Sequence, residues 1–318
     1  MIARKDLLEL ATLSREEVEE ILQQAEPMKR VFQRSVKKYP ALKGKTVLML
    51  FYEPSTRTLS SFEGAAKRVG ADVTVFDVPS SSVVKGESVR DTVATLQAMQ
   101  ADYIVVRHQM PGLPGRIAAM TKASVISAGD GAHAHPTQGL LDAYTLREIY
   151  GSSSDGKKVL IVGDIRHSRV ARSTSAVLTK LGYQVAFLGP GSLVPDVPGI
   201  TRFTNFEDAW AWSPEVFYLL RVQKERQGHQ FFPSVGEYHK LYGITEARFN
   251  RIAAEGKWVM HPGPVNRGVE LCDAVMEYER CLIDRQVENG VAVRMAVLYS
   301  LKPAVDGEAS LGASGILA

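Results

Sequence analysis

Short, continuously apolar runs alternate with helical patterns along almost the whole chain, and this alternation constrains the fold more than any other feature. KTVLMLFY, DYIVVRH and KVLIVGD are each about as long as one strand, and Gly, Pro and Asp residues bound such runs. Runs that are apolar at every position suit strands buried on both faces, with the intervening helices as cover. The sequence therefore predicts an α/β protein built on parallel sheets.

A polar segment, GSSSDGKK at 151–158, divides this pattern into two halves. The alternation restarts after it, which predicts two doubly wound parallel-sheet domains joined by helices, at 1–150 and 151–283. A last helix at about 284–305 is expected to pack back on the first domain and against one of the sheets, and 306–318 is expected to be a flexible tail. The apolar face of that helix is predicted to carry Val287, Val291, Leu298 and Leu301.

The composition excludes several classes of protein. The 318 residues carry 38 Lys and Arg against 35 Asp and Glu, and this slight positive charge forms no basic stripe of the kind that binds nucleic acid. The apolar runs are too short to span a membrane, and the N-terminus lacks the apolar core of a signal peptide. Cys272 and Cys281 have no metal-binding spacing and fit a reducing compartment. We therefore expect a cytoplasmic protein with no nucleic-acid or membrane partner.

Cationic side chains follow the predicted strands at their carboxyl ends, the edge where parallel sheets bind ligands. Arg57, Arg107, Arg169 and Arg221 each fall at such an end, and Lys85 lies in a polar loop as a fifth candidate. One arginine of this kind is more often a surface charge. Several at equivalent positions predict a site for substrates with multiple negative charges, such as a phosphate and a dicarboxylate.

The segment PSTRT at 54–58 places hydroxyls and Arg57 on the first turn of a predicted helix. Free N–H groups and the positive end of the helix dipole make such a turn a natural phosphate site. The alternative is an ordinary N-cap beside a solvated arginine, and this segment alone leaves the two interpretations at even odds. It is not a Walker loop, because GxxxxGK[ST] is absent.

His135 precedes Pro136, which suits the first position of a helix, so the imidazole is expected at the mouth of the site. A core histidine bonded to backbone is the alternative. A metal site of Asp130, His133 and His135 is weaker still, because no further carboxylate or Cys/His motif supports it. The sequence also lacks GxSxG and GxGxxG, which disfavours a serine hydrolase and a nicotinamide-dependent oxidoreductase.

Seven motifs together resemble the catalytic chains of the aspartate carbamoyltransferase family, in order and in spacing. They are FYEPSTRTLSSFE, KGES, VVRH, HPTQGLLD, VGDIRHSR, LLRVQKER and HPGPVNRGVE, and the likeness runs from about residue 1 to 305. The resemblance implies transfer of the carbamoyl group of carbamoyl phosphate to the α-amine of L-aspartate. The products would be N-carbamoyl-L-aspartate and phosphate, in de novo pyrimidine biosynthesis. It also implies a site between the domains, with no metal and no organic cofactor.

The resemblance implies a role for each residue that matches a motif of the family. The catalytic residues are Arg57, Thr58, Lys85, Arg107 and His135. Carbamoyl phosphate is bound by Ser55, Thr56, Arg57, Thr58, Ser81, Arg107, His135, Gln138, Pro262 and Gly263. L-Aspartate is bound by Lys85, Arg169, Arg221 and Gln223. Well-known members have leucine where this chain has Gly263, and no loss is expected because the implied contact is made by backbone.

A homotrimer with shared active sites is also implied, in which Ser81 and Lys85 reach into the site of the adjacent chain. Whether a regulatory chain or a dihydroorotase-like chain joins a higher assembly is left open. An ornithine-using carbamoyltransferase is disfavoured because Arg221 and Gln223 suit a β-carboxylate better than an ammonium group. A catalytically inactive scaffold subunit is disfavoured because each motif keeps its ligands.

Overall fold

The computed structural model describes residues 2–77, 88–152, 154–222 and 234–303. Within these ranges the chain forms one sheet of four strands and one of five, and neighbouring strands are parallel in both. The predicted fold class, two parallel-sheet α/β units, is confirmed.

The first sheet contains β1 (Thr46–Phe51), β2 (Asp72–Asp77), β3 (Tyr103–His108) and β4 (Ser124–Asp130), in the order β2-β1-β3-β4. Its helices are α1 (Arg15–Arg30), α2 (Thr56–Arg68), α3 (Val89–Ala98), α4 (Leu113–Ala118) and α5 (Pro136–Tyr150). Successive side chains of β1 point to opposite faces of the sheet, so Met49 packs in one apolar core and Leu48 in another. Because helices cover both faces, the strands are apolar almost throughout.

The second sheet contains β5 (Lys158–Val162), β6 (Gln184–Leu188), β7 (Thr201–Phe203), β8 (Val216–Leu219) and β9 (Trp258–Met260), in the order β7-β6-β5-β8-β9. Its helices are α6 (Arg169–Lys180), α7 (Phe206–Ala211), α8 (Val235–Tyr242) and α9 (Glu246–Ala254). Ile161 and Phe187 join the same core as Met49, whereas Leu160 faces a separate core. One apolar core therefore runs without a break from the first sheet to the second.

The helix α10 (Ile283–Ser300) packs on α1, α2 and α5. The predicted apolar face of this helix is wrong in part, because Val287 is 55% exposed and the main contacts are with helices, not with a sheet. The buried side instead includes Gln286, Asn289 and Arg294. Apolar periodicity cannot identify a face that is built partly from polar side chains.

The helices α5 and α6 meet closely at the boundary between the two halves. A Cβ atom on Gly139 would lie 2.8 Å from the carbonyl oxygen of Ser173, closer than real Cβ contacts come, so the approach needs glycine. The hydroxyl of Ser173 also accepts a hydrogen bond of 2.8 Å from the His135 N–H. The start of α5 is thereby fixed against α6.

Two other predictions concern the state of the cysteines and the absence of a membrane-spanning segment. Cys272 is buried, Cys281 is half-buried, and both are free thiols. In the described ranges, no helix has the length and apolar character needed to cross a membrane.

Candidate active site

The first turn of α2 presents hydroxyls and Arg57 at the carboxyl end of β1. Ser55 occupies the N-cap position, but its side chain makes no capping hydrogen bond. An ordinary N-cap would use that hydroxyl on the N–H groups of the helix. The Ser55 hydroxyl is therefore not engaged in capping α2, unlike that of an ordinary N-cap. Thr58 is buried at this turn, and Thr56 and Arg57 are exposed.

Arg57 lies against the loop that follows β9, although the two belong to different sheets. A Cβ atom on Gly263 would sit 3.4 Å from Arg57 Nε, and the φ of +65° at this residue favours glycine. Partial burial, and then the charge of Arg221, lower the pKa of Arg57. Side chains from both sheets therefore meet at the predicted edge.

His261 holds the backbone of this loop as a neutral imidazole. Its Nδ1 accepts a 2.8 Å hydrogen bond from the Gly263 N–H, and the backbone N–H of His261 donates to Gln286 Oε1 at 3.0 Å. Burial, and then the charges of Arg57 and Arg221, lower the pKa of His261 to about 3. His261 therefore shapes the Pro262–Gly263 segment and carries no charge near neutral pH.

Arg107 and Arg169 come from different sheets and share one carboxylate, Glu53. Arg107 Nε lies 2.7 Å from Glu53 Oε1, and Arg169 Nη2 donates to the same oxygen. Backbone carbonyls fix the other side of each guanidinium: Arg107 donates to Ala128 at 3.1 Å and Arg169 to Gly131 at 3.0 Å. Both cations are thus held in place before any ligand arrives.

Gly129 allows these two guanidinium groups to approach the end of β4. A Cβ atom there would lie 2.9 Å from Arg169 Cζ and 3.1 Å from Arg107 Nη1. The φ of +134° at Gly129 is itself a conformation that favours glycine. A side chain at this position would displace both arginines.

His135 lies at the N-terminus of α5 beside this arginine pair and is 4% exposed. Burial, and then the charges of Arg169, Arg107 and Arg294, lower the pKa of His135 well below its usual value. Its Nδ1 atom is buried and has no hydrogen-bond partner within the described ranges. Buried polar atoms are normally paired, so a neutral ring with an unpaired nitrogen suits a ligand that completes it.

Gln138 follows His135 by one turn of α5 and is also buried. Its Nε2 donates to Oδ1 of Asp142 at 2.9 Å. Because an ionised carboxylate only accepts hydrogen bonds, this contact fixes which end of the amide faces Asp142.

The loop after β8, which carries Arg221, is held by the buried carboxylate of Glu270. Oε1 accepts from the Val222 N–H at 2.8 Å, and Oε2 accepts from the Asn266 N–H at 2.6 Å. Burial raises the pKa of Glu270, although these hydrogen bonds oppose the shift. Glu270 therefore ties the segment beside Arg221 to the loop after β9.

The metal alternative is not supported by the geometry. Asp130 accepts from the Gly112 N–H at 2.8 Å, and His133 Nε2 lies 3.1 Å from Glu9. Over the part of the chain that the structure describes, no three His, Cys, Asp or Glu side chains are grouped as a metal site requires.

Two family models match the chain over most of its length. Residues 5–148 match the carbamoyl-P binding domain of aspartate/ornithine carbamoyltransferase, and residues 155–301 match its Asp/Orn binding domain. The chain belongs to the aspartate/ornithine carbamoyltransferase family. The resemblance carried by the seven motifs is confirmed.

Curated members of this family are similar over almost their whole length. The aspartate carbamoyltransferase catalytic subunit of Akkermansia muciniphila is 65% identical over 302 residues, which cover 94% of this chain and 97% of the relative. The subunit of the same description from Halothermothrix orenii is 50% identical over 303 residues, covering 94% and 96%.

Solved structures of the family have the same fold. Trypanosoma cruzi aspartate transcarbamoylase in complex with carbamoyl phosphate and aspartate gives a TM-score of 0.82 at 30% identity, covering 93% of this chain and 96% of that one. Its complex with N-(phosphonacetyl)-L-aspartic acid gives 0.83 at 29% identity, covering 93% and 95%.

The structure places most residues that the family resemblance singled out at the carboxyl ends of the strands or on the first turns that follow. Arg57, Arg221 and Gly263 meet in one group, and Arg107, Arg169 and His135 meet in another. Three predicted residues, Ser81, Lys85 and Gln223, lie outside the described residues. The described predicted residues are Ser55, Thr56, Arg57, Thr58, Arg107, His135, Gln138, Arg169, Arg221, Pro262 and Gly263.

The sequence analysis did not identify three carboxylates that hold site residues in place: Glu53, Asp142 and Glu270. A site predicted to bind anions gives no reason to select acidic residues. Asp142 did carry a signal, because it lies between apolar residues of GLLDAY, one turn beyond Gln138. A charge inside a buried helix is rarely present for packing alone.

Proposed function

We propose that this chain is a catalytic subunit that transfers the carbamoyl group of carbamoyl phosphate to the α-amine of L-aspartate. The observation that carries the proposal is the meeting of arginines from two sheets, with Arg107 and Arg169 beside the neutral, buried His135 and Arg57 and Arg221 beside the loop after β9. The relatives described as aspartate carbamoyltransferase catalytic subunits support this choice of reaction.

Carbamoyl phosphate is assigned to the side of the site built from residues 5–148, and L-aspartate to the side built from 155–301. The phosphate lies on the first turn of α2, where helix N–H groups, Ser55, Thr56 and Arg57 offer donors. The carbamoyl group lies by Thr58, Arg107, His135 and Gln138, with the Pro262–Gly263 backbone beside its nitrogen.

The reaction begins when the α-amine of aspartate attacks the carbamoyl carbon. A C–N bond forms, and an oxyanion develops on the carbonyl oxygen, where Arg107, Thr58 and His135 donate hydrogen bonds. The C–O bond to phosphate then breaks, and Arg57 offsets the charge on the departing group. The phosphate accepts the proton that the amine loses, so no protein base is required. The neutral state of His135 suits a donor that keeps its proton.

L-Aspartate is assigned to Arg169 and Arg221, one guanidinium for each carboxylate. Arg169 is held by Glu53 and Gly131, which fixes the position of its guanidinium group. Ornithine would place an ammonium group near Arg221, and like charges at that distance repel. The geometry therefore favours aspartate over ornithine.

The deciding assay supplies purified chain with carbamoyl phosphate and either L-aspartate or L-ornithine, in a chelator-treated buffer. Equal amounts of N-carbamoyl-L-aspartate and phosphate are expected, with no carbamoylation of ornithine. Carbamoylation of ornithine in preference to aspartate would overturn the assignment of substrate. Loss of activity on chelation would overturn the prediction that no metal takes part.

We further propose a cytoplasmic homotrimer in which Ser81 and Lys85 complete the site of the adjacent chain. Lys85→Ala and His135→Ala variants, each expected to be nearly inactive, are dissociated, mixed equally and reassociated. If Lys85 serves the neighbouring chain, roughly one quarter of the sites in random trimers are intact. Activity that stays at the parental background, with mixed trimers confirmed by native mass spectrometry, would show that Lys85 serves its own chain.

A further inference from the structure

Asp142 is a buried carboxylate that accepts four hydrogen bonds from four different side chains, and the mechanism above does not use it. The residue is 0% exposed and lies in the middle of α5. Oδ1 accepts from Gln138 Nε2 at 2.9 Å and from Gln286 Nε2 at 2.8 Å. Oδ2 accepts from Thr174 Oγ1 at 2.7 Å and from Tyr218 OH at 2.8 Å.

Two of these donors lead directly to the carbamoyl end of the proposed site. Gln138 is itself assigned to the carbamoyl group. Gln286 donates to Asp142 through Nε2, and its Oε1 accepts the N–H of His261, which precedes Pro262 and Gly263. One carboxylate oxygen thus links both walls of the carbamoyl pocket.

The other two donors come from the elements that carry the aspartate-binding arginines. Thr174 lies on α6, the helix that begins at Arg169, and Tyr218 lies on β8, three residues before Arg221. Asp142 is therefore bonded to side chains from both halves of the molecule.

The two glutamines have a defined orientation only while Asp142 is acceptor-only. An ionised carboxylate can receive Nε2–H but cannot donate to an amide oxygen, so neither amide can be turned over. A protonated acid or an asparagine has donor hydrogens and tolerates the reversed amide. Reversal of Gln286 would also remove the acceptor for the His261 N–H.

Stability alone does not explain a carboxylate at this position. Burial raises the pKa of Asp142 to about 6, in spite of the hydrogen bonds from Thr174, Tyr218, Gln286 and Gln138. A charge taken out of water in this way is often replaced by neutral groups without loss of stability. The carboxylate is therefore better explained by the orientation that it imposes.

We propose that Asp142 is a positioning residue, whose ionised carboxylate sets the orientation of the Gln138 amide and, through Gln286, of the Pro262–Gly263 backbone. This inference rests on the proposed carbamoyl transfer. Asp142 touches no substrate in this account and acts through the groups that it holds.

Asp142 is also the group in this network that changes charge between pH 5 and pH 8. Burial, and then the charge of Asp142, raise the pKa of Tyr218 well above its usual value, and burial lowers the pKa of the facing Arg294 to about 10. The lowered pKa values of His135 and His261 keep both rings neutral in this range. The fixed orientation of the Gln138 and Gln286 amides is therefore expected to be lost as the pH falls through about 6.

The test compares Asp142→Asn with the wild type and with Asp102→Asn, in steady-state assays at saturating carbamoyl phosphate and aspartate. Asp102 undergoes the same chemical change at the opposite edge of the first sheet, where its side chain accepts from the Thr46 N–H. Misplacement of reacting groups lowers turnover, so we expect kcat of Asp142→Asn to fall about 10- to 100-fold. Asp102→Asn should keep its kcat, and the melting temperature of Asp142→Asn at pH 8 should not fall.

A second measurement separates positioning from a general structural role. Asp142→Asn is combined with Gln138→Ala, and the kcat ratios form a double-mutant cycle. If Asp142 acts through Gln138, its substitution should cost several-fold less in the Gln138→Ala background, since only the contact through Gln286 remains. The ratio of wild-type to Asp142→Asn activity should also shrink below pH 6, because the wild-type carboxylate is then protonated.

Three results would overturn the inference: a kcat of Asp142→Asn close to that of the wild type, full additivity with Gln138→Ala, or an activity loss that follows a fall in melting temperature. An inactive wild type is a different outcome, because it would refute the proposed carbamoyl transfer instead.

Discussion

The two arginine pairs of the site differ in how they are held. Arg107 and Arg169 share Glu53 and are further fixed by backbone carbonyls. Arg57 and Arg221 face each other beside an uncharged His261, and Arg57 forms no ion pair within the described ranges. The first pair is preorganised by a shared carboxylate, whereas in the second pair burial, and then the nearby charge of Arg221, lower the pKa of Arg57.

This difference suggests a division of labour in the proposed reaction. A pair that shares one carboxylate keeps one net positive charge and is held in a fixed orientation for its ligand. Arg57 has no carboxylate partner within the described ranges, so it gains most when negative charge grows, as it does on the leaving phosphate. Substitutions in the two pairs should therefore alter different kinetic constants.

The largest effect is expected from Arg57→Ala. Loss of one group that stabilises transition-state charge lowers turnover by about 100- to 1000-fold. The KM for aspartate should change much less, since Arg57 is assigned to phosphate. Steady-state kinetics with Lys67→Ala, an exposed cation on the same helix, provide the control. Near-normal turnover of Arg57→Ala would remove the distinction between the two pairs.

Arg221→Ala should mainly impair the use of aspartate. Breaking one contact between charged groups costs about 2 kcal/mol at the lower end, or about 30-fold in kcat/KM for aspartate. Arg202→Ala, at an exposed position within β7, is the matched control. Succinate keeps both carboxylates and lacks the amine, so it should compete with aspartate in the wild type. Failure of succinate to compete would refute the assignment of Arg221.

Glu53→Gln should remove the negative charge that Arg107 and Arg169 share. The amide keeps a single acceptor oxygen but no longer neutralises the two guanidinium groups. We expect the KM for aspartate to rise about 10-fold, which corresponds to about 1.4 kcal/mol. Glu63→Gln, a half-buried glutamate paired with Lys67 on α2, is the control. An unchanged KM would show that the bridge contributes nothing to substrate binding.

The smallest expected effect is the pH dependence of stability that arises from the buried carboxylate of Asp142. The folded pKa of Asp142 is about 6, against an ordinary value of 3.8. The folded state therefore binds this proton more tightly, and stability is lost as the pH rises from about 4 to about 6. The gap corresponds to about 3 kcal/mol, or a few degrees in melting temperature.

Asp142→Asn lacks this ionisation, so the melting temperature of the wild type should fall relative to that of the variant between pH 4 and pH 6. Above pH 7 the difference should be constant. Differential scanning fluorimetry across pH 4 to 8 measures it. A difference that does not vary with pH would mean that Asp142 has an ordinary pKa in the folded protein.

The sequence predicted the fold and the position of the arginines for the same reason. Continuous apolar runs mark buried parallel strands, and ligand groups follow their carboxyl ends, so the positions of Arg57, Arg107, Arg169 and Arg221 were readable. The roles assigned to these residues stay predictions.

The carboxylates that hold the site could not be predicted from the sequence pattern. Glu53 and Glu270 have the wrong sign for an anion site, and their partners lie far away in sequence. The buried face of α10 was also misjudged at Val287, because Gln286 and Asn289 are buried for their hydrogen bonds. Such contacts depend on the tertiary fold, which a single sequence does not display.

The unbroken core between the two sheets has a consequence for protein engineering and for evolution. Ile161 and Phe187 share apolar contacts with the layer that contains Met49, and Gly139 lets α5 and α6 approach to backbone distance. The apolar core that contains Met49 is built from both halves, so neither half completes it alone. A chimera that joins one half to the other half of a distant relative would therefore need matching apolar residues throughout this shared core. New substrate specificity is accordingly more readily acquired by changes in loops than by exchange of domains.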